Sequence, residues 1–171
     1  MANKYGVIRT DLMSGTDVAA DIVSVRFYDA NSKEAAIENG SVVKVGDYID
    51  GNREVRKATT PAANTALGEI AIIASPEVNY DERKKNLSDF INEAGANCRG
   101  YIPRSRNICS ITRECLNIGS GVTPAAGYIV ELMAGTKLNV VATPTSGSTK
   151  VGKILAIEKT SRYEYFVIEL V

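Results

Sequence analysis

The residues with the clearest spacing for chemistry are those of 147–153, which match the Gly-x-x-x-x-Gly-Lys pattern of a phosphate-binding loop. In such a loop the next residue is Ser or Thr, which holds magnesium, but here it is Ile154. The loop must also lead into a helix whose N-terminus faces the phosphates, whereas the Ile-rich run 154–157 is typical of a β-strand. We therefore expect a glycine turn before a strand, and no nucleotide or other cofactor site.

The chain contains no histidine, so acids and thiols are the remaining candidates for catalysis. Without histidine, the usual Ser-His and Cys-His nucleophile pairs and the commonest metal ligand are excluded. The three cysteines, Cys98, Cys109 and Cys115, form no Cys-x-x-Cys pair, which argues against zinc or a disulfide framework and favours buried free thiols. A thiol nucleophile would be Cys109, which lies nearest a polar context.

Carboxylates occur in close pairs that could serve as acid and base, as in a glycosidase. Each pair lies in a polar segment, where helix capping or a solvated charge is the commoner role. The pairs are Asp81 with Glu82, Asp47 with Asp50, and Asp11 with Asp17. We predict that the protein is not an enzyme and has no catalytic or metal-binding residue.

Tyrosine is unusually frequent among the aromatic residues, at eight against three phenylalanines. In the last stretch of the chain, Tyr163 and Tyr165 fall on one strand face, and Phe166 and Ile168 fall on the other. A tyrosine face suits a partly wet interface, because the ring buries area while the hydroxyl finds a partner. Packing within the chain would explain these tyrosines equally well.

Composition describes a folded chain with a neutral surface. The 171 residues are 44% hydrophobic, and 20 basic residues balance 20 acidic ones, so we expect neither nucleic acid nor a membrane surface as a partner. The apolar runs are far shorter than the roughly 20 residues needed to span a bilayer. The N-terminus also lacks the apolar segment of a signal peptide, and we expect synthesis in the cytoplasm.

The elements that would position these residues are mostly strands, because one stretch occurs twice. Residues 58–73 and 142–157 align without gaps at six identities in sixteen positions, and each reads as a polar loop, a glycine and an Ile-rich strand. We interpret them as parts of two related β units, at 40–74 and 127–171. Many short strands separated by turns predict a small β-barrel or β-sandwich.

A single α-helix is predicted inside an insertion, 75–118, that separates the two units. Leu87, Phe90 and Ile91 fall on one helical face of the stretch 80–95. Asn79 could cap its start, and Gly95 suits the left-handed position after its end. The fold class is therefore mainly β with one α-helix, an α+β fold with a minor helical part.

The first 21 residues form a separate region, an extended N-terminal arm ahead of a single β-rich body at 22–171. They show little apolar periodicity and many small polar residues, so the arm must gain its order from its own body or from a neighbour. If it serves a neighbour, its removal should leave the body folded. The candidate partner-interface residues in this arm are Tyr5, Val7, Ile8, Arg9, Leu12 and Met13.

Several stretches resemble head decoration, or cement, proteins, which are small virion proteins of tailed bacteriophages. The likeness extends over most of the chain. It lies in Tyr5-Gly6-Val7-Ile8-Arg9-Thr10, in 73–77 with 80–85, in 92–95 with 99–101, and in the ending from 152–154 to 165–169.

This resemblance implies a compact β-rich body, often a homotrimer, that binds the major capsid protein on the outer capsid lattice and stabilises the head. The expected location is the capsid surface of the virion, after synthesis in the host cytoplasm. An arm that adds an edge strand to its partner would fit this role. The alternatives are another phage structural subunit, such as a tail, connector or fibre-base protein, or a surface-displayed carbohydrate-binding module.

Overall fold

The structure of the protein is a computed structural model that describes residues 3–14, 21–81, 83–84 and 86–171. Strands dominate these residues, as predicted, and the helical elements among them are short 3-10 turns rather than α-helices. The strands are β1 (Ile22–Phe27), β2 (Val42–Tyr48), β3 (Val55–Thr59), β4 (Ile70–Ile73), β5 (Cys98–Tyr101), β6 (Ile108–Thr112), β7 (Leu116–Ile118), β8 (Ile129–Glu131), β9 (Leu138–Val141), β10 (Lys150–Lys159) and β11 (Glu164–Leu170).

Strands β1 to β5 form a closed barrel in the order β1-β3-β2-β4-β5. The barrel closes because β1 pairs with two strands, in parallel with β3 and antiparallel with β5. Alternating small and β-branched side chains fill the interior, as the two-residue period of a strand requires. These interior residues are Val25, Phe27, Val43, Ala58, Ala71, Ile73 and Cys98.

Strands β6 to β11 form a second, barrel-like sheet in the order β6-β11-β10-β8-β9-β7. Its terminal strands β6 and β7 are separated in sequence only by the 3-10 turn Arg113–Cys115. Strand β7 pairs in parallel with β9, and β6 pairs antiparallel with β11. Together, β6 and β7 therefore make the two pairings that β1 makes alone in the first barrel.

The two sheets have equivalent connectivity; the predicted β units at 40–74 and 127–171 supply β2 to β4 of the first and β8 to β11 of the second. The central hairpin β2-β3 corresponds to β8-β9, and β4 and β5 correspond to β10 and β11. However, the ungapped alignment does not match equivalent positions of β4 and β10. It pairs Ile70 with Ile154, whereas Ile70 begins β4 and Lys150 begins β10. The loop before the strand is shorter in the second copy, which an ungapped comparison could not accommodate.

The predicted α-helix at 80–95, and with it the inserted helix of the fold class, is wrong. The described residues of this stretch contain one 3-10 turn, Leu87–Asp89, preceded by Asn86 in a reciprocal capping arrangement with Asp89. Gly95 does have a positive φ of 82°, but it follows an extended segment instead of a helix.

Tertiary pairing explains why this stretch is extended. Asn92 exchanges backbone hydrogen bonds with Ile37 at 2.9 and 3.0 Å, and its side-chain amide donates to the Ile37 carbonyl and to Asn39 Oδ1. Short helices are marginal on their own in water, so these buried contacts outweigh a modest helical preference. Phe90 is buried as the apolar pattern suggested, whereas Leu87 is exposed.

The described N-terminal part of the arm, residues 3–14, lies on the chain's own body and runs antiparallel to the free side of β6. The Thr112 N–H donates to the Val7 carbonyl at 2.9 Å, and the Arg9 N–H donates to the Ser110 carbonyl at 2.9 Å. Ile8 sits in the core with only 2% of its surface exposed. Removing the arm would therefore delete a sheet edge and core side chains, so we now expect truncation to destabilise the body.

One apolar core joins the two sheets into a single packed unit. Val42, Ile72 and Tyr101 point out of the first barrel, away from its interior, and belong to the same buried cluster as Ile111 and Phe166 of the second sheet. Strands on both sides of residue 102 thus share one core. The stretch 75–118 contributes β5 to the first barrel and β6 and β7 to the second sheet.

Candidate functional site

The cysteines are buried free thiols with little nucleophilic character. Burial raises the pKa of Cys98 to about 11, and it raises the pKa of both Cys109 and Cys115 to about 12. A thiol with such a pKa is almost entirely protonated near neutral pH, and the thiolate is the reactive form. The thiol candidate from the sequence, Cys109, is thus enclosed in the core.

Of the three carboxylate pairs, the structure describes both members of one, Asp47 with Asp50, and one member of each of the others. A hydrogen bond from Arg83 lowers the pKa of Asp81, and one from Arg9 lowers the pKa of Asp11. Asp47 and Asp50 are exposed. Glu82, the predicted companion of Asp81, and Asp17, the predicted companion of Asp11, lie outside the described residues. Within the described part of the chain, no group of three or more potential metal ligands comes together.

The six predicted interface residues are divided between the core and the surface. Val7 and Ile8 are buried in the chain's own core, and Met13 packs against it. Tyr5 is half-buried, and its N–H donates to the Ser88 carbonyl at 3.2 Å. Arg9 lies over the ring of Tyr165. Leu12 is left 53% exposed. The arm therefore offers only part of its predicted interface to another molecule.

Three segments that are distant in sequence come together at one place on the surface. They are the arm itself, the described part of the long segment between β4 and β5, and the turn between β10 and β11. The Arg162 guanidinium donates to Asn86 Oδ1, which links the turn to the long segment. The Tyr163 and Tyr165 ring centroids are 5.7 Å apart, and Arg9 covers the second ring at 5.6 Å. The tyrosine face predicted from the last strand is thus partly covered by the arm.

The long segment 74–97 is the most exposed apolar feature of the described chain. The described residues include seven exposed large hydrophobic side chains, and three of them, Val78, Tyr80 and Leu87, lie here. Tyr80 is 96% exposed. Connections of this length without regular structure are uncommon and often carry binding functions.

Buried asparagines anchor both ends of this segment. The Asn39 side chain donates to the Ser75 carbonyl at 2.8 Å and accepts from the Ser75 N–H at 3.0 Å. It also accepts from the Asn92 amide at 3.1 Å, so one buried side chain connects the start of the segment to its end. The sequence analysis missed this role. Asn39-Gly40 reads as a hairpin signal, and no local pattern reveals partners more than 30 residues away.

A polar cleft of about 300 Å³ lies where the three segments meet. It is lined by Asn3, Lys4, Asn86, Ser88, Asp89, Ser161, Arg162 and Tyr163. Sequence reasoning did not find it, because its residues come from three separate stretches of ordinary polar composition.

Comparison with known proteins identifies no relative: no family model, curated protein or solved structure matches the chain. None of the helical segments in the described residues has the length and apolar character of a membrane span.

Proposed function

We propose that the protein is a structural component of a tailed-phage virion, a head decoration protein that binds the major capsid protein and stabilises the capsid. The support from sequence is the resemblance to this class along most of the chain. The support from structure is the 74–97 segment, in which Val78, Tyr80 and Leu87 are exposed to solvent.

We choose this segment because the exposure of its large apolar side chains to water is energetically unfavourable. Three of the exposed large hydrophobic side chains among the described residues lie in this one segment. Tyrosine is favoured at protein contacts because its ring adds buried area while its hydroxyl stays satisfied. The hydrogen bonds from Asn39 limit the freedom of the segment, so less conformational entropy is lost on binding.

A repeating lattice reduces the strength required of each contact. Many copies bound near one another act together, so a modest interface per copy is enough for stable coverage. The proposed assembly is a homotrimer on the outer surface of the head, with the 74–97 segment facing the capsid.

The test is co-sedimentation of the purified protein with heads assembled from the major capsid protein of the same virus. Tyr80→Ser should weaken binding by about five- to thirtyfold, since a buried interface tyrosine contributes on the order of 1–2 kcal/mol. The matched control is Tyr48→Ser, a second exposed tyrosine (49%) on β2, which should bind normally. Equal binding by both variants would contradict the proposed contact, and attachment of the native protein to tails alone would contradict the head assignment.

A further inference from the structure

The polar cleft shares the 74–97 segment with the proposed apolar contact, because Asn86, Ser88 and Asp89 line it, but its own lining is polar. Each of the three segments contributes to it, so its shape depends on the docked arm. Its side chains are amides, hydroxyls, two cations, one carboxylate and one aromatic ring. The volume of about 300 Å³ is at the lower end of the range for small-molecule sites.

Hydrogen bonds within the cleft fix its walls. The Asn86 N–H and side-chain amide both donate to Asp89 Oδ2 at 3.1 Å, and Arg162 donates to Asn86 Oδ1. The Thr160 hydroxyl accepts from the Tyr163 N–H at 2.9 Å, which holds the turn that carries the aromatic ring. The arrangement is therefore formed before any ligand arrives, which lowers the entropic cost of binding.

Several polar groups remain open to a ligand among the described residues. Asp89 Oδ1 has no hydrogen-bond donor there, and the hydroxyls of Ser88 and Tyr163 make no side-chain hydrogen bond. The Lys4 ammonium lies 5.0 Å from the Tyr5 ring and faces solvent. The lining contains two cations, Lys4 and Arg162, and one carboxylate, Asp89, so its formal charge is positive. An anionic ligand is therefore favoured over a cationic one.

We infer that this cleft binds an acidic saccharide unit, a sugar that carries a carboxylate. Sugar hydroxyls both donate and accept, which matches the amides, the hydroxyls and the free oxygen of Asp89. The C–H face of a sugar ring can pack on the ring of Tyr163. The carboxylate can accept a charge-assisted hydrogen bond from Arg162, with Lys4 nearby. The cations are exposed and therefore screened by water, so we expect weak binding, with a dissociation constant of about 1 mM per cleft. Many copies acting together would raise the overall affinity.

The experiment is an NMR titration of the full-length protein with a tetrasaccharide of alternating glucuronic acid and N-acetylglucosamine. The neutral tetramer of N-acetylglucosamine and inorganic phosphate serve as comparison ligands. We expect saturable shifts with the acidic tetrasaccharide that include the amides of Ser161 and Tyr163, and at least fivefold weaker binding of the neutral one. No binding, equal binding of both sugars, or binding of phosphate without the acidic sugar would each overturn the inference.

Two variants of equal charge change locate the site. Arg162→Gln should weaken saccharide binding at least fivefold, whereas Lys159→Gln, three residues earlier and outside the cleft, should not. Lys4→Gln gives a second test from the arm side, in case Arg162 is also needed to hold the turn. Lys4→Gln separates the saccharide site from the proposed capsid contact, because Arg162 is itself bonded to Asn86 of the 74–97 segment. Lys4→Gln should still co-sediment with heads, and Tyr80→Ser should still bind the saccharide.

Discussion

Replacing Ile8 by alanine tests whether the N-terminal arm belongs to the folded body. The side chain is only 2% exposed and belongs to the main core cluster. The substitution removes three carbon groups at about 0.8 kcal/mol each, or about 2.4 kcal/mol in all, before any cavity is counted. Incomplete collapse of the cavity adds to this, so we expect a loss of about 2–5 kcal/mol in the free energy of unfolding.

The assay is equilibrium unfolding in urea, followed by circular dichroism, with Leu12→Ala as the matched control from the same arm. Leu12 is 53% exposed, and its substitution should change the free energy of unfolding by no more than about 0.5 kcal/mol. A loss below about 1 kcal/mol for Ile8→Ala, or equal effects of the two substitutions, would refute the view that the arm is part of the core.

Two other features of the core give further predictions. Cys115 lies beneath the arm with a pKa raised by burial to about 12, so it should react with a disulfide reagent only slowly at pH 8, and faster in Ile8→Ala. Peptide mapping would identify the modified thiol, and reaction of the native protein at the rate of a free thiol would contradict the docked arm. A Cβ at Gly152 would contact the Glu169 carbonyl oxygen, so Gly152→Ala should cost about 1–3 kcal/mol. At Gly68 an added Cβ would meet nothing within 4 Å, so Gly68→Ala should leave the free energy of unfolding almost unchanged in the same urea assay.

Much of the β structure could be predicted from sequence, because strands follow local rules. The last strand was expected from its β-branched and aromatic run, and it is β11 (Glu164–Leu170). The weak repeat between 58–73 and 142–157 pointed to two related units, and the two sheets have equivalent connectivity. In the Gly-Lys spacing at 147–153, Gly147 has the positive φ of a turn, whereas Gly152 and Lys153 already lie inside β10 rather than in a helix.

The failures share a physical cause, which is the dominance of long-range partners over local preference. The stretch 80–95 has a helical pattern, but Asn92 is bound to Ile37 and Asn39, and no sequence period encodes that pairing. The sequence left open whether the arm is ordered by its own body or by a neighbour, because the pairing with β6 lies about a hundred residues later. The cleft went unnoticed for the same reason, since Lys4, Asn86 and Arg162 become neighbours only in the folded chain.

Electron microscopy of capsids incubated with the purified protein tests the central proposal most directly. We predict density for the two-sheet body at symmetry-related positions on the outer surface of the head, with the 74–97 segment toward the capsid and a saturating number of copies set by the lattice. Bare heads at saturating protein concentration, or bodies attached with the 74–97 segment pointing away from the capsid, would contradict it.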